Sequence, residues 1–550
     1  MGHSRGTTIP KAEDRGTTSG RVPVAWSVGL GVAFLLYYLL LAPHATADED
    51  AAEITLALVT GGVIHPTGYP LFTLFGHAFV AGLRAVGVGY AYAANAWAAT
   101  GAALALGLLH RLGLRLLGPG RHLSPAARAL LAGLPVAALG LNAQWITESI
   151  LVETHTWFVA WVCGAMLLLV DTVQSLDDRS RPFPLARWAL LWGLACGLGG
   201  AHHATSVFAV TAATLAATAA LIRAGRFRTW VPLLWVVGGL LPLLSYAWIW
   251  ARAVHPGSAS VWPTLEPTLR GLWDHVTARI YHGFVGGWHP DPAQAADLAR
   301  DVYPWLWPAL VLSGVWLALG RGFSDRLVRG TILATAVAQI AFTYHYGVPD
   351  PVAYFLPPLA LALTVVAPTA RQAYSRLGGS RARTAAAAAT LVLVAVLAAS
   401  ATRGALERRS EVVRYDALIR SMWRAVPDTA SILLWPADVS YKLKLYQALE
   451  GEKPAVDVVN TGLLCYPGPA RRFAAKYGFD PLANNGSEHS GDPVDERYMA
   501  GRHAAIPPRY LGRVNETIAD SARVPVLLFD DVQMRLRLLS RHRDPAAPGR

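Results

Sequence analysis

Long apolar stretches separated by short polar connections dominate the first 400 residues of this chain. A helix that spans a bilayer needs about 20 mainly apolar residues, and eleven segments approach that pattern. We therefore predict an all-α polytopic membrane domain over residues 24–402. The predicted spans lie near 24–43, 91–110, 126–143, 150–170, 187–201, 203–222, 230–251, 303–320, 329–345, 352–368 and 384–402.

The composition supports lipid as the solvent for much of the chain. Hydrophobic residues make up 53% of the 550 residues and charged residues 15%, whereas soluble domains carry about 25% charged residues. The net charge of +12 does not indicate a nucleic-acid partner, because most basic residues before position 400 lie between apolar segments. Three cysteines, two of them within apolar segments, are too few for a disulfide framework.

Arginine and lysine residues predict the orientation of the chain. Connections rich in these residues alternate with the nearly bare stretches 44–90, 142–150 and 346–351. The positive-inside rule then places an N-terminal tail, 1–23, in the cytoplasm. It places two outer loops, 44–90 and 252–302, and a C-terminal domain, 403–550, outside. We accordingly expect a multi-pass protein of the inner (plasma) membrane with an extracytoplasmic C-terminal domain.

The C-terminal domain has the pattern of a small α/β unit. Helices are predicted at about 411–425 and 438–450, and strands at 431–435, 455–460 and 524–529.

The first outer loop carries a pair of carboxylates. Asp50 and Glu53 open a short helical stretch that ends at Gly61-Gly62, and a second helix with an apolar face begins at Pro70. A spacing of three places both carboxylates on one helix face, where repulsion raises one pKa. The pair fits either a capping box or a general base for an incoming hydroxyl.

Five segments resemble the motifs of a protein O-mannosyltransferase-like family of GT-C-type membrane glycosyltransferases. The acidic pair is followed by a segment similar to "HPPGYPLF", with Thr67 in place of the second proline. The other segments resemble "AEVYT", "GLxxxxHxT", "HVTGRxY" and "DxxxYxLP". In this chain the five segments are Asp50–Glu53 with His65–Phe72, Val152–Thr156, Gly197–Thr205, His275–Tyr281 and Asp350–Pro357.

The resemblance implies a GT-C-like fold and a specific chemistry. Such enzymes take a sugar, here possibly mannose, from a polyprenyl phosphate at the outer membrane surface. An acceptor hydroxyl of a protein, glycan or lipid attacks the anomeric carbon, usually with inversion. By this resemblance Asp50 is the first candidate for the base and Glu53 the second. No nucleotide-binding or zinc-binding spacing is present in the sequence, so we assign no metal-ligating residue and no certain cofactor, and metal dependence stays open.

Further polar residues in these segments are candidates for substrate contacts. Arg279 suits the donor phosphate because a guanidinium pairs with two oxygens at once, although headgroup anchoring is an alternative. His202, His203 and His275 are further phosphate candidates, and the two adjacent histidines equally fit a hydrogen-bonded turn. The candidates for the acceptor and the loop are His65, Tyr69, Glu153, Tyr281 and Asp350, of which Glu153 and Asp350 also fit structural capping roles.

Two other classes of function remain open at this point. A transporter or flippase of a lipid-linked precursor predicts broken helices in matched halves, and the sequence shows one such break, near 199–204. A non-catalytic assembly factor would depend on its C-terminal domain and tolerate loss of Asp50 and Glu53.

Overall fold

The protein is described by a computed structural model that covers most of the chain. The described residues are 22–47, 50–118, 123–178, 182–285, 303–346, 351–435, 439–483, 508–530 and 535–540. Of the predicted tail 1–23, only the last two positions fall within these ranges.

Helices occupy every one of the eleven predicted spans. Eight helices or continuous helix pairs among the described residues are long and apolar enough to cross a membrane, and a bent pair is a ninth candidate. Shorter helices underlie the predicted spans 187–201 and 303–320. The helices are Val24–Leu41 (α1), Tyr90–Leu116 (α4), Pro125–Gly140 (α5), Ala143–Ile150 (α6), His155–Asp177 (α7), Leu185–Gly200 (α8), Ser206–Arg223 (α9), Val231–Leu243 (α10), Tyr246–Val254 (α11), Leu306–Ala318 (α13), Phe323–His345 (α14), Leu356–Leu363 (α15), Val366–Arg376 (α16) and Gly379–Ala425 (α17).

Small residues allow the membrane helices to approach one another closely. A β-carbon on Gly197 of α8 would lie 2.2 Å from the carbonyl oxygen of Gly239 on α10, and one on Gly193 would lie equally close to the carbonyl of Trp235. Lipid tails provide no hydrophobic drive between helices, so association depends on close packing of this kind. The glycines therefore fix the α8–α10 pair.

The predicted connection 142–150 is mostly helical in the structure. Helices α5 and α6 meet at a 75° bend, where the side chain of Asn142 accepts a hydrogen bond from the backbone N–H of Trp145. This cap starts α6 in a new direction. Helix α6 leads directly to the segment 152–156, so the bend positions that motif.

The prediction of separate helices at 384–402 and 411–425 is wrong. Both belong to α17, one helix of 47 residues. The polar stretch between them stays helical because Arg403 pairs with Glu407 and Arg408 pairs with Glu411 at helical spacing. The last apolar helix thus continues without interruption into the C-terminal domain.

The C-terminal domain contains a four-stranded sheet with the strand order β2-β1-β3-β4. Strands β1 and β2 are parallel, β3 is parallel to β1, and β4 is antiparallel to β3. The predicted strands correspond to β1, β2 and β3, while β4 and two helices were not predicted. The elements are Ser431–Trp435 (β1), Val439–Glu450 (α18), Val456–Asn460 (β2), a 3-10 helix at Thr461–Cys465, Pro467–Tyr477 (α19), Pro508–Ser521 (α20), Val526–Asp530 (β3) and Arg535–Ser540 (β4).

Two long loops between membrane helices face the C-terminal domain. The first long loop, 44–90, contains α2 (Asp50–Thr60) and α3 (Pro70–Ala85). The described part of the second long loop, 252–285, contains α12 (Leu269–Val276) and a 3-10 helix (Arg279–Phe284). Arg471 of α19 pairs with Glu266 of the second long loop. The predicted class, a polytopic helical protein with a small α/β domain, is confirmed.

Candidate functional site

The two carboxylates of the first long loop converge on one histidine. Glu53 is buried, and its carboxylate accepts a 2.6 Å hydrogen bond from the backbone N–H of His65. The imidazole Nδ1 of His65 lies 3.1 Å from Glu53 and 3.9 Å from a carboxylate oxygen of Asp50. The Asp50 side chain is 50% exposed. The described hydrogen bonds of Glu53 therefore run to His65, across the loop, rather than to the helix end as in a capping box.

The environment of Glu53 changes its acidity. Burial raises the pKa of this carboxyl to about 7, against the opposing attraction of His65, and repulsion from Asp50 adds to the rise. Like-charge repulsion is the effect expected from the sequence, but burial is the larger cause. Glu53 is thus the buried, histidine-bound member of the pair, and Asp50 is the accessible one.

The backbone on both sides of His65, from Val63 to Gly68, packs closely against neighbouring segments that include the second long loop. Gly68 has a φ of +82°, and a β-carbon there would lie 2.4 Å from Ile249 and 2.9 Å from the His275 ring. Val63 donates a hydrogen bond to the carbonyl of Ser260 and accepts one from the N–H of Trp262. Glycine at 68 therefore meets both a conformational and a steric requirement.

The Tyr69 ring lies between His65 of the first long loop and the turn after α8 that contains His202 and His203. Its buried ring has centroid distances of 5.5 Å to His65, 6.1 Å to His202 and 5.7 Å to His203. The Tyr281 ring lies 6.4 Å from that of His65 on another side. Burial raises the pKa of both tyrosine hydroxyls well above the ordinary value, so both stay protonated as donors.

The adjacent histidines make different hydrogen bonds. His202 donates from Nε2 to the carbonyl of Thr154. In His203 it is Nδ1 that is engaged, as an acceptor from the N–H and the hydroxyl of Thr205. An accepting Nδ1 requires the proton of a neutral ring to be on Nε2. That buried N–H has no hydrogen-bond partner among the described residues.

The phosphate candidate Arg279 lies at the edge of this site. Its guanidinium is 3.2 Å from the carboxylate of Asp274 and is 40% exposed. It lines a cleft of about 520 Å³ between the second long loop and the C-terminal domain, together with Arg270, His275 and Arg471. His275 is buried, and burial lowers its pKa to about 3, so the ring is neutral.

Within the described part of the chain, two groups of side chains have the composition of a cation site. Asp50, Glu53 and His65 form the first, and Glu148, Glu153 and His155 the second, with ligand atoms within 4.8 Å of one another in each. In the first group the imidazole Nδ1 already contacts Glu53. The assignment of no metal-ligating residue stays a prediction.

Some residues of the site were not singled out from the sequence, and one candidate is not described. Asp350 lies outside the described residues. Tyr354, from the same motif, has its ring 5.2 Å from that of His155 and 5.8 Å from that of His203. Trp262 packs with its ring 6.0 Å from that of His65. Tyr354 was visible in the motif, whereas the positions of His155 and Trp262 depend on tertiary contacts.

A family comparison agrees with the motifs. Residues 50–223 match the family model described as the Protein O-mannosyl-transferase TMEM260 N-terminal domain. The resemblance to a protein O-mannosyltransferase-like family is thereby confirmed for this segment, which begins at Asp50 and includes His65, Tyr69 and His203. No curated protein matches the chain.

Crystal structures of ArnT are among the solved structures that are similar to this chain. ArnT from Cupriavidus metallidurans bound to undecaprenyl phosphate matches at 13% identity with a TM-score of 0.49, over 81% of this chain and 92% of that one. The apo state of the same protein matches at 12% identity with a TM-score of 0.44, over 93% of this chain and 94% of that one.

Proposed function

We propose that this protein is a GT-C-type glycosyltransferase. It transfers a sugar, mannose by the family match of residues 50–223, from a polyprenyl-phosphate donor to an acceptor hydroxyl. The reaction takes place at the outer face of the membrane and inverts the anomeric centre. Asp50 is the base. The observation that carries the proposal is the position of this half-exposed carboxylate, 3.9 Å from His65, at the edge of a buried histidine and tyrosine cluster.

Asp50 and Glu53 have different roles in this mechanism. A general base must be able to reach the proton that it removes, and of the two carboxylates Asp50 is the accessible one. Glu53 binds both the backbone and the ring of His65. It therefore positions the loop while Asp50 accepts the proton of the acceptor hydroxyl.

Neutral and cationic hydrogen-bond donors of the protein recognise the phosphate of the lipid-linked sugar. The free Nε2–H of His203 offers one hydrogen bond to a phosphate oxygen. Arg279 has five N–H donors, so it can hold Asp274 and still bind phosphate. The Tyr69 hydroxyl, kept protonated by burial, is a further donor beside His203. Charge developing on the leaving phosphate is stabilised by such fixed donors.

The test is turnover by the purified full-length protein in liposomes that contain polyprenyl-phosphate mannose. Release of free polyprenyl phosphate in the presence of detergent-extracted acceptors reports the reaction. We expect Asp50→Asn to reduce the rate by about 10²–10⁴-fold, the usual contribution of a general base.

Asp428→Asn is the matched control, because this aspartate is exposed and lies in the C-terminal domain. The control should leave the rate unchanged. Wild-type turnover in Asp50→Asn would remove this residue from the mechanism. Movement of the donor lipid between leaflets without consumption would instead favour a flippase.

A further inference from the structure

A buried lysine of the C-terminal domain contacts the segment that precedes the acidic pair. Lys442 lies on α18, and its side chain is completely buried. The ammonium donates a 2.7 Å hydrogen bond to the carbonyl of Thr46 and lies 3.1 Å from the carboxylate of Asp416 on α17. Lysine is almost never fully buried without partners, because an unpaired ammonium in an apolar interior is costly. This contact is therefore specific.

The same face of α18 also packs against the helix that begins with Asp50. Ala52 and Leu56 of α2 form a buried apolar cluster with Tyr441 and Leu445 of α18 and with Trp262. Helix α2 is thus held from two directions. Lys442 binds the backbone four residues before Asp50, and the apolar cluster covers one side of the helix.

The contact continues into the site through aromatic rings. Tyr441 stacks on Trp262 at 5.9 Å with an interplanar angle of 14°. Trp262 in turn contacts the ring of His65 edge-on. The C-terminal domain consequently contacts the segment before Asp50 directly. It reaches His65, the histidine beside Asp50 and Glu53, only through Trp262 of the second long loop.

We propose that Lys442 is a positioning residue for the transfer reaction, through which the C-terminal domain fixes the N-terminal end of α2 and with it the Asp50 carboxylate. This inference rests on the proposed function. A base displaced by about 1 Å can lose 10²-fold in rate, and the hydrogen bond from Lys442 holds the backbone four residues before Asp50. The C-terminal domain is then part of the working site rather than a passive cover.

The partners of Lys442 allow a clean substitution. Asp416 also accepts a hydrogen bond from Tyr446 and lies 3.8 Å from Arg420, so it keeps neighbours when the ammonium is removed. Of these two partners, the Thr46 carbonyl is therefore the one that loses its described donor in Lys442→Met. Methionine retains most of the apolar stem and leaves the packing of α18 largely intact.

Lys453 provides a matched control. Its ammonium also binds one backbone carbonyl, that of Val426, and one carboxylate, that of Asp428. Both partners lie in the C-terminal domain, between α17 and β1, and not in the first long loop. Lys453→Met removes the same kind of contact without touching the entry to α2.

The experiment compares full-length Lys442→Met and Lys453→Met in liposomes. Two quantities are measured, namely turnover of polyprenyl-phosphate mannose and hydrogen exchange of the α2 amides. We expect Lys442→Met to lower kcat by about 10–100-fold with little change in KM for the donor, and to speed exchange in α2. Lys453→Met should keep wild-type values of both. If Lys442→Met does not accumulate in membranes, Lys442→Gln, which retains a neutral donor, is measured instead.

The two readouts separate this inference from the proposed function. Unchanged kcat in the Lys442 variant, or unchanged exchange of the α2 amides, would overturn the positioning role. Exchange is independent of turnover, so faster exchange in α2 together with full activity of Asp50→Asn would instead refute Asp50 as the base.

Discussion

At the scale of single residues, the site shows that neighbours in sequence can have unlike chemistry. His202 and His203 are adjacent and both are buried, and both rings carry the proton on Nε2, yet the two N–H groups are used differently. The carbonyl of Thr154 requires a proton on Nε2 of His202, and this proton is used in the hydrogen bond. Thr205 also places the proton of His203 on Nε2, where it has no described partner. Only His203 thus offers a hydrogen bond to a ligand.

This difference predicts unequal effects of matched substitutions. His203→Phe and His202→Phe both keep an aromatic ring, and both remove intramolecular hydrogen bonds, two with Thr205 for His203 and one with Thr154 for His202. Only His203→Phe removes the free donor, and a hydrogen bond to a charged group contributes about 1.5–3 kcal/mol. We expect kcat/KM for the lipid donor to fall by about 10–100-fold in His203→Phe and by much less in His202→Phe, as measured by release of polyprenyl phosphate. Equal losses in the two variants would contradict a phosphate contact at His203.

At the scale of elements, the sequence predicted what local rules determine. Apolar stretches located the membrane helices, and Pro70, two residues after Gly68, marked the start of α3. Hydrophobic periodicity and turn residues do not show which side chain twelve residues along the chain will contact a carboxylate. The Glu53–His65 contact was therefore not predicted. The sequence did not predict that α17 continues past residue 402, because the arginines there are typical of a polar segment that follows the end of a membrane helix. In the helix they are paired with glutamates one turn away.

The glycine contact between α8 and α10 leads to a prediction for this pair of elements. In Gly197→Val the new side chain meets backbone atoms of Gly239, which cannot move aside as a flexible side chain would. The helices must separate, at a cost of about 1–3 kcal/mol or more. Gly314→Val is the control, because a β-carbon at this position of α13 meets nothing within 4 Å. Denaturant titration in detergent micelles should show earlier unfolding for Gly197→Val alone. Coincident curves would mean that α8 and α10 do not depend on this contact.

At the scale of the whole molecule, three regions distant in sequence meet on one side of the helical domain. The first long loop contains the acidic pair, the second contains Arg279, and the C-terminal domain contacts both through Lys442 and Arg471. Their contacts require all three to face the same compartment. The arginine-rich connections predict which compartment this is, since such connections stay in the cytoplasm.

Labelling of single cysteines tests this orientation. The native Cys163 and Cys465 are buried and Cys196 is partly buried, so an exposed position must be substituted. Asp428→Cys, in the C-terminal domain, should react with a membrane-impermeant maleimide in intact cells. Arg228→Cys, in the arginine-rich connection between α9 and α10, should react only after permeabilisation. A polyprenyl-phosphate donor presented at the outer face can reach Asp50 only with this orientation, because the loop containing Asp50 is bound to the C-terminal domain. Labelling in the reverse order would therefore place the acidic pair in the cytoplasm and remove the proposed reaction from the outer surface.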